Sequence, residues 1–219
     1  MKKIICLLLI FGCLFAMVSC KKNKKVDSSV ELIGKIVSES LATEIKTKTE
    51  YVIGEDNLTG KYTTQIDRER GNSKFDFEYT KFADIGSTDG RFETFKGSVY
   101  FEANGNVSYD GDTWEAVDAT GYLPLAINVL ESRFESFELS EDGTDLVAEV
   151  APSEAKRTFG TDIAADGNIM LEIITDGKYL HEVKVTYTAA ETGATVVIET
   201  TYDYMPISLK FFVEEEVAD

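Results

Sequence analysis

The chain has 219 residues with 39 Asp and Glu against 22 Lys and Arg, one His, three Cys and one Trp. That length suits one domain, and 43% hydrophobic with 28% charged residues describes a globular chain, not a disordered one. Six of the 22 basic residues lie in the first 26 positions, which hold no acid; the 16 left against 39 acids give the remainder a net −23. Such a body repels phosphate backbones, so nucleic-acid binding is excluded as a class. The acidity reads as solubility at a crowded cell surface, with a site for a cationic partner as the alternative.

The first 20 residues have the layout of an export signal. Lys2 and Lys3 precede an apolar run from Ile4 to Val18, which stops at Ser19-Cys20 and the polar stretch Lys21-Lys22-Asn23-Lys24-Lys25. The run is too short for a comfortable membrane span. Its end, Ala16-Met17-Val18-Ser19-Cys20, resembles a bacterial lipoprotein signal, with Met17 where Leu is more usual. The resemblance implies removal of residues 1–19, a lipid on Cys20, and a short basic tether over 20–27. Cys13 fits the local pattern too, but cleavage there would split the apolar run. Cys6 and Cys13 leave with the signal, so the mature body keeps no disulfide, no thiol nucleophile and no Cys metal site. A single His cannot build a His-rich zinc site.

A helix is predicted over Ser28 to Leu41. Ser28 and Glu31 make a capping box, and Val30, Ile33, Val37 and Leu41 recur at helical spacing. From Ile45 the period becomes two: Ile45, Thr47, Thr49, Tyr51 and Ile53; then Tyr62, Thr64 and Ile66; then Phe75, Phe77 and Tyr79; then Val99 and Phe101. These are strands with one apolar and one wet face, as an antiparallel sheet requires. Asn57-Leu58-Thr59-Gly60, Arg70-Gly71-Asn72, Asn104-Gly105-Asn106 and five Asp-Gly steps supply turn chemistry. Read as calcium loops, the Asp-Gly steps put Ala164, Ile173 or Asp145 at the wrong positions, so tight turns are the expectation.

A second helix is predicted from Leu123, Ile127, Leu130 and Phe134 at i, i+4, i+7 and i+11, with Pro124 in its first turn. Residues 137–150 read as a hairpin around Asp142-Gly143, and Pro152 to Thr158 as a short helical turn. Strands follow at Ile169–Ile173, Tyr179–Tyr187 and Val196–Tyr204. Ser208 to Val213 is expected to close the sheet, and 214–219 to form an acidic tail. His181 falls in line with Tyr179, Val183 and Val185, which predicts a neutral histidine in the core or at its rim. Trp114 reads as rim packing, or as a contact to a ligand lid.

This layout resembles the LolA-like group of exported lipid carriers, which includes the LppX/LprG-type lipoproteins. The local match is strongest over 97–115, a Tyr-turn-Tyr-turn-Trp hairpin just ahead of the mid-chain insertion. It covers about residues 27–213. The resemblance implies an α+β domain over 28–213: a single curved antiparallel sheet, a half-barrel meander, whose concave face is covered by the N-terminal and mid-chain helices. It implies a lipid-sized cavity there and no catalytic residues or cofactor to carry over.

Physics allows the same arrangement, because a bare apolar sheet face is not sustainable. Either the face packs solid or the helices leave a hollow. Ligand contacts are expected from Leu123, Ile127, Leu130 and Phe134 on the helix and from Phe75, Phe77, Val99, Phe101, Val183, Val185 and Ile198 on the sheet, since each set recurs at its element's own period. The functional expectation is an exported lipoprotein, monomeric, held on the outward face of the bacterial cell membrane through Cys20, that binds or carries a lipid or other hydrophobic molecule. The alternative is a surface-exposed interaction protein, an adhesin or assembly factor, with a solid core. No carboxylate pair is marked out by spacing, so no enzymatic role is expected.

Overall fold

The computed structural model describes residues 29–54, 56–82, 92–111 and 125–209. The expected signal and tether, Cys20, Trp114, Leu123 and the expected acidic tail lie outside the described residues. One sheet of ten strands dominates: β1 (Glu44–Ile53), β2 (Asp56–Asp67), β3 (Asn72–Phe82), β4 (Phe92–Phe101), β5 (Val107–Gly111), β6 (Phe134–Leu139), β7 (Leu146–Val150), β8 (Ile169–Thr175), β9 (Leu180–Thr188) and β10 (Thr195–Asp203). The order across it is β5-β4-β3-β2-β1-β10-β9-β8-β7-β6, antiparallel throughout, and the sheet is not closed. Two sequential meanders are therefore joined by pairing the first strand with the last. Among the described residues helices are few and short: α1 (Ser29–Ser38), α2 (Ala155–Phe159) and 3-10 turns at Glu131–Arg133 and Pro152–Glu154. No helix among the described residues is long and apolar enough to cross a membrane.

Register carries the predicted alternation across the whole sheet. One row on the inner face runs Leu171, Val185, Ile198, Thr49, Gly60, Tyr79, Phe95 from β8 to β4. A row on the outer face runs Glu172, Lys184, Glu199, Lys48, Lys61, Glu78, Lys96 through the same strands. Charges of mostly alternating sign, such as Lys184 at 3.0 Å from Glu172, keep that face wet and set the register by cross-strand pairing.

The inner face is not one continuous core. The larger cluster joins Leu146, Ala148, Val150, Ile169, Leu171, Ile173, Leu180, Val183, Val185, Val196 and Ile198 to Val30, Ile33 and Ile36 of α1. The smaller joins Tyr62, Phe75, Phe77, Tyr79 and Val99, with Phe95 and Phe101 at its margin. Between them lie buried Thr47, Thr49, Thr64 and Thr200, the first and last linked by a 3.0 Å hydroxyl hydrogen bond.

Several expectations are corrected. α1 stops at Ser38, whose hydroxyl donates to the Lys35 carbonyl at 3.0 Å, and Leu41 stands 65% exposed beyond it. Among the described residues the mid-chain helix is absent. Residues 125–130 have no regular structure, Leu130 is extended (φ −138°, ψ 122°), and Phe134 opens β6. The burial of Leu125, Ile127 and Val129 against exposed Ala126, Asn128 and Leu130 follows period two. Residues 57–60 are strand, not turn, because Gly54 at φ 61° already reverses the chain and Ile53 pairs with Asp56. Ser208 and Leu209 do not extend the sheet; the Leu209 N–H donates to Asp67 beside the β2–β3 turn at 3.0 Å. The hairpin over 137–150 and the helical turn after Pro152 form as expected.

Candidate functional site

The predicted ligand contacts divide between the two clusters. Phe75, Phe77, Val99 and Phe101 belong to the smaller, while Val183, Val185 and Ile198 are buried in the larger at 1–3% exposure. All seven sit on the same face of the sheet, as their alternation requires. Of the expected helix set, Ile127 and Phe134 pack at the margin of the larger cluster and Leu130 is exposed.

Open space is found elsewhere, at the end of the sheet where β10 finishes and β1 begins. A cleft of about 320 Å³ lies between the C-terminal half of α1 and the β8–β9 turn. Its walls include Leu32, Lys35, Ile36 and Glu39 of α1, Ser40 and Leu41 after it, Gly177, Lys178 and Tyr179 of the turn, and Tyr204.

The turn is built by Asp176. Its carboxylate accepts the N–H groups of Lys178 at 2.9 Å and Tyr179 at 2.7 Å, and Gly177 takes φ 82°. Those two N–H groups, Tyr179 first, with His181 beside them, hold the Asp176 carboxyl down at about 2. His181 Nε2 lies 3.1 Å from the other carboxylate oxygen. The histidine expected in the core or at its rim is thus half exposed and lies outside the core. The cause is an irregularity in the β8–β9 ladder: Ile174 pairs with Glu182 but Thr175 pairs with Leu180. The extra residue on β9 turns Leu180 inward, at 1% exposure, and His181 outward.

Tyr204 closes the floor. Its hydroxyl accepts the Leu180 N–H at 3.1 Å and donates to the Leu180 carbonyl at 2.9 Å, with Ser40 Oγ 2.9 Å away. One side chain thereby satisfies backbone groups that the β9–β10 ladder, ending at Glu182 and Thr201, leaves over. The Tyr204 ring lies 4.7 Å from that of Tyr179, tilted by 46°. Lys178 stands 4.5 Å over the Tyr179 ring, and that tyrosine raises the lysine pKa. Lys35 sits 4.0 Å from Glu39 across one helical turn. The result is an apolar floor with the Lys178 ammonium and the Lys35–Glu39 pair at the rim. It has the chemistry to hold an apolar chain and to tolerate an anionic end. Among the described residues, no group of three His, Asp or Glu stands close enough to hold a metal ion.

The sequence pattern missed Leu32, Lys35, Lys178, Tyr179 and Tyr204 as a group. Asp176-Gly177 marked the turn, but nothing local marked its approach to α1.

No family model matches the chain, and no curated protein matches it. Among solved structures, a DUF1329 family protein from Desulfovibrio piger is similar over 85% of this chain and 96% of its own, at 10% identity and TM-score 0.28. The dehydratase domain from the terminal module of the rifamycin polyketide synthase is similar over 80% and 81%, at 11% identity and TM-score 0.19. At these values no family is assigned.

Proposed function

We propose that this chain is an exported lipoprotein, anchored through Cys20, whose domain binds a hydrophobic ligand in the cleft between α1 and the β8–β9 turn. Binding, not turnover, is the role. The observation that carries the reading is the cleft itself, with Leu32, Ile36, Tyr179 and Tyr204 among its lining. Its volume stands at the low end of the roughly 300–1,000 Å³ of small-molecule sites, which suits one short chain better than a whole two-chain lipid. The export-type N-terminus points the same way, and so does the resemblance to LolA-like carriers in the parts of it that the fold keeps, an N-terminal helix and a long antiparallel meander. The wider expected site, between sheet and mid-chain segment, belongs to this proposal as the face that a larger ligand would have to open.

The interaction-protein reading keeps one observation in its favour: Val183, Val185 and Ile198 are packed at 1–3% exposure. Mass spectrometry of organic extracts from the membrane-purified protein, beside a fluorescent fatty-acid titration, separates the two. Ligand should co-extract, and Leu32→Trp, which fills the cleft from a 39% exposed position, should weaken binding by roughly tenfold, about 1.4 kcal/mol, without lowering the melting temperature. An empty wild-type protein that binds no fatty acid overturns the carrier reading.

A further inference from the structure

We propose that the end of the molecule carrying the cleft is the face that rests on the bilayer, its exposed apolar side chains entering the headgroup boundary. The inference rests on the lipoprotein reading and adds to it an orientation and a partner, the lipid surface itself.

Four large apolar side chains are exposed at this one end: Met205 at 70%, Leu41 at 65%, Leu32 at 39% and Tyr179 at 38%. Leu32, Leu41 and Tyr179 line the cleft, and Met205 follows Tyr204 in the chain, its carbonyl accepting the Thr43 hydroxyl at 2.6 Å. Lys178 and Lys35, the latter 4.0 Å from Glu39, stand among them in a body with 39 acids against 16 bases after residue 26. Apolar groups ringed by lysine and tyrosine are the composition that settles at a lipid–water boundary.

The chain also enters the domain at this end. Ser29 lies against Gly143 of the β6–β7 turn, where a Cβ would come within 3.0 Å of its hydroxyl. That turn is joined to the β8–β9 turn by the Thr175 hydroxyl, which donates to the Thr144 carbonyl at 2.7 Å. Eight residues lie between Cys20 and Ser29, so even a fully extended tether of nine steps reaches only roughly 30 Å. Four of its residues are lysines, which an anionic surface attracts. The opposite end carries the β9–β10 turn, Ala189-Ala190-Glu191-Thr192-Gly193-Ala194, made of small and polar residues.

With Cys20 as the only cysteine left after removal of residues 1–19, single introduced cysteines report without background. The test takes the lipidated protein with Leu41→Cys, Met205→Cys or Glu191→Cys, each carrying an environment-sensitive fluorophore. Each is reconstituted on vesicles of phosphatidylglycerol and phosphatidylethanolamine and recovered by flotation. Labels at 41 and 205 should shift to the blue and be shielded several-fold from a soluble quencher, while the label at 191 stays solvent-like. Floated protein with solvent-like emission at all three positions overturns the docking, leaves the anchor intact, and frees the face for a protein partner. Protein that does not float, with no acyl chain on Cys20, overturns the lipoprotein reading and the docking together.

Discussion

Leu180, His181, Asp176 and Tyr204 show how one irregular residue shapes the cleft. The Tyr204 hydroxyl serves both backbone groups of buried Leu180. Tyr204→Phe should therefore cost about 1–3 kcal/mol in urea unfolding, the penalty for leaving a buried donor and acceptor unmade. Ser40→Ala, at the periphery of the same hydroxyl, should cost clearly less; equal losses would mean that the bulge is held by something else. Asp176 gives the pH dependence. Its folded value, about 2, lies below the ordinary 3.8, so its contribution is fully present above about pH 4 and is lost as pH falls toward 2. Asp176→Asn should flatten the acid limb of a stability–pH curve in that window and leave neutral pH slopes unchanged. An unchanged acid limb would place the titration elsewhere. None of this was legible from residues 179–187. Strict alternation puts His181 with Val183, and only the register against β8 shows that the chain gains a residue there.

The elements differ in how openly they were written. Strands announced themselves wherever polar and apolar residues alternated over five or more positions, because side-chain direction in a strand depends only on parity. The mid-chain segment was ambiguous. Leu123, Ile127, Leu130 and Phe134 satisfy a helical spacing, yet Leu125, Ile127 and Val129 satisfy a strand spacing over the same stretch, and the second is what the structure uses. The tie is broken by α1, which the segment must lie against. A Cβ on Gly34 would come 2.9 Å from the Val129 carbonyl oxygen and 3.4 Å from its Cβ, so only glycine permits the approach. The Asn128 N–H is meanwhile taken by the Thr158 carbonyl at 2.8 Å, a bond outside any helix ladder. Gly34→Ala is thus a sharp probe. Helix propensity alone favours it by about 1 kcal/mol. The clash with Val129 should reverse the sign and leave a net loss of about 1–3 kcal/mol. A denaturation curve showing stabilisation would mean that α1 and residues 125–130 are not in contact.

At the scale of the whole molecule, the ten strands share hydrogen bonds from edge to edge, but their apolar side chains form two clusters. The seam is β1 with its neighbours, where Thr47, Thr49, Thr64, Thr200 and Gly60 occupy the inner positions. Threonine suits a strand but offers less apolar surface than valine and carries a hydroxyl that needs a partner, so it joins strands without joining cores. Alternation showed that these positions face inward. It could not show that they interrupt the core, since that depends on β1 pairing with β10, as Thr47 does with Thr200, 153 residues away in sequence. Leu171 in the larger cluster and Phe77 in the smaller are separated by the four strands β9, β10, β1 and β2. Five strand spacings amount to roughly 24 Å. Leu171→Ala should cost about 2–5 kcal/mol and Phe77→Ala about 3–5 kcal/mol, as cavities in packed surroundings do. Because the two residues belong to separate clusters of buried side chains, the double variant should lose the sum of the two within about 0.5 kcal/mol. Leu171→Ala with Val185→Ala, neighbours on adjacent strands of one cluster, should depart from additivity by more than that. If the distant pair couples as strongly as the near one, the seam does not divide the core, and strain on one half of the sheet reaches the other through the backbone ladders.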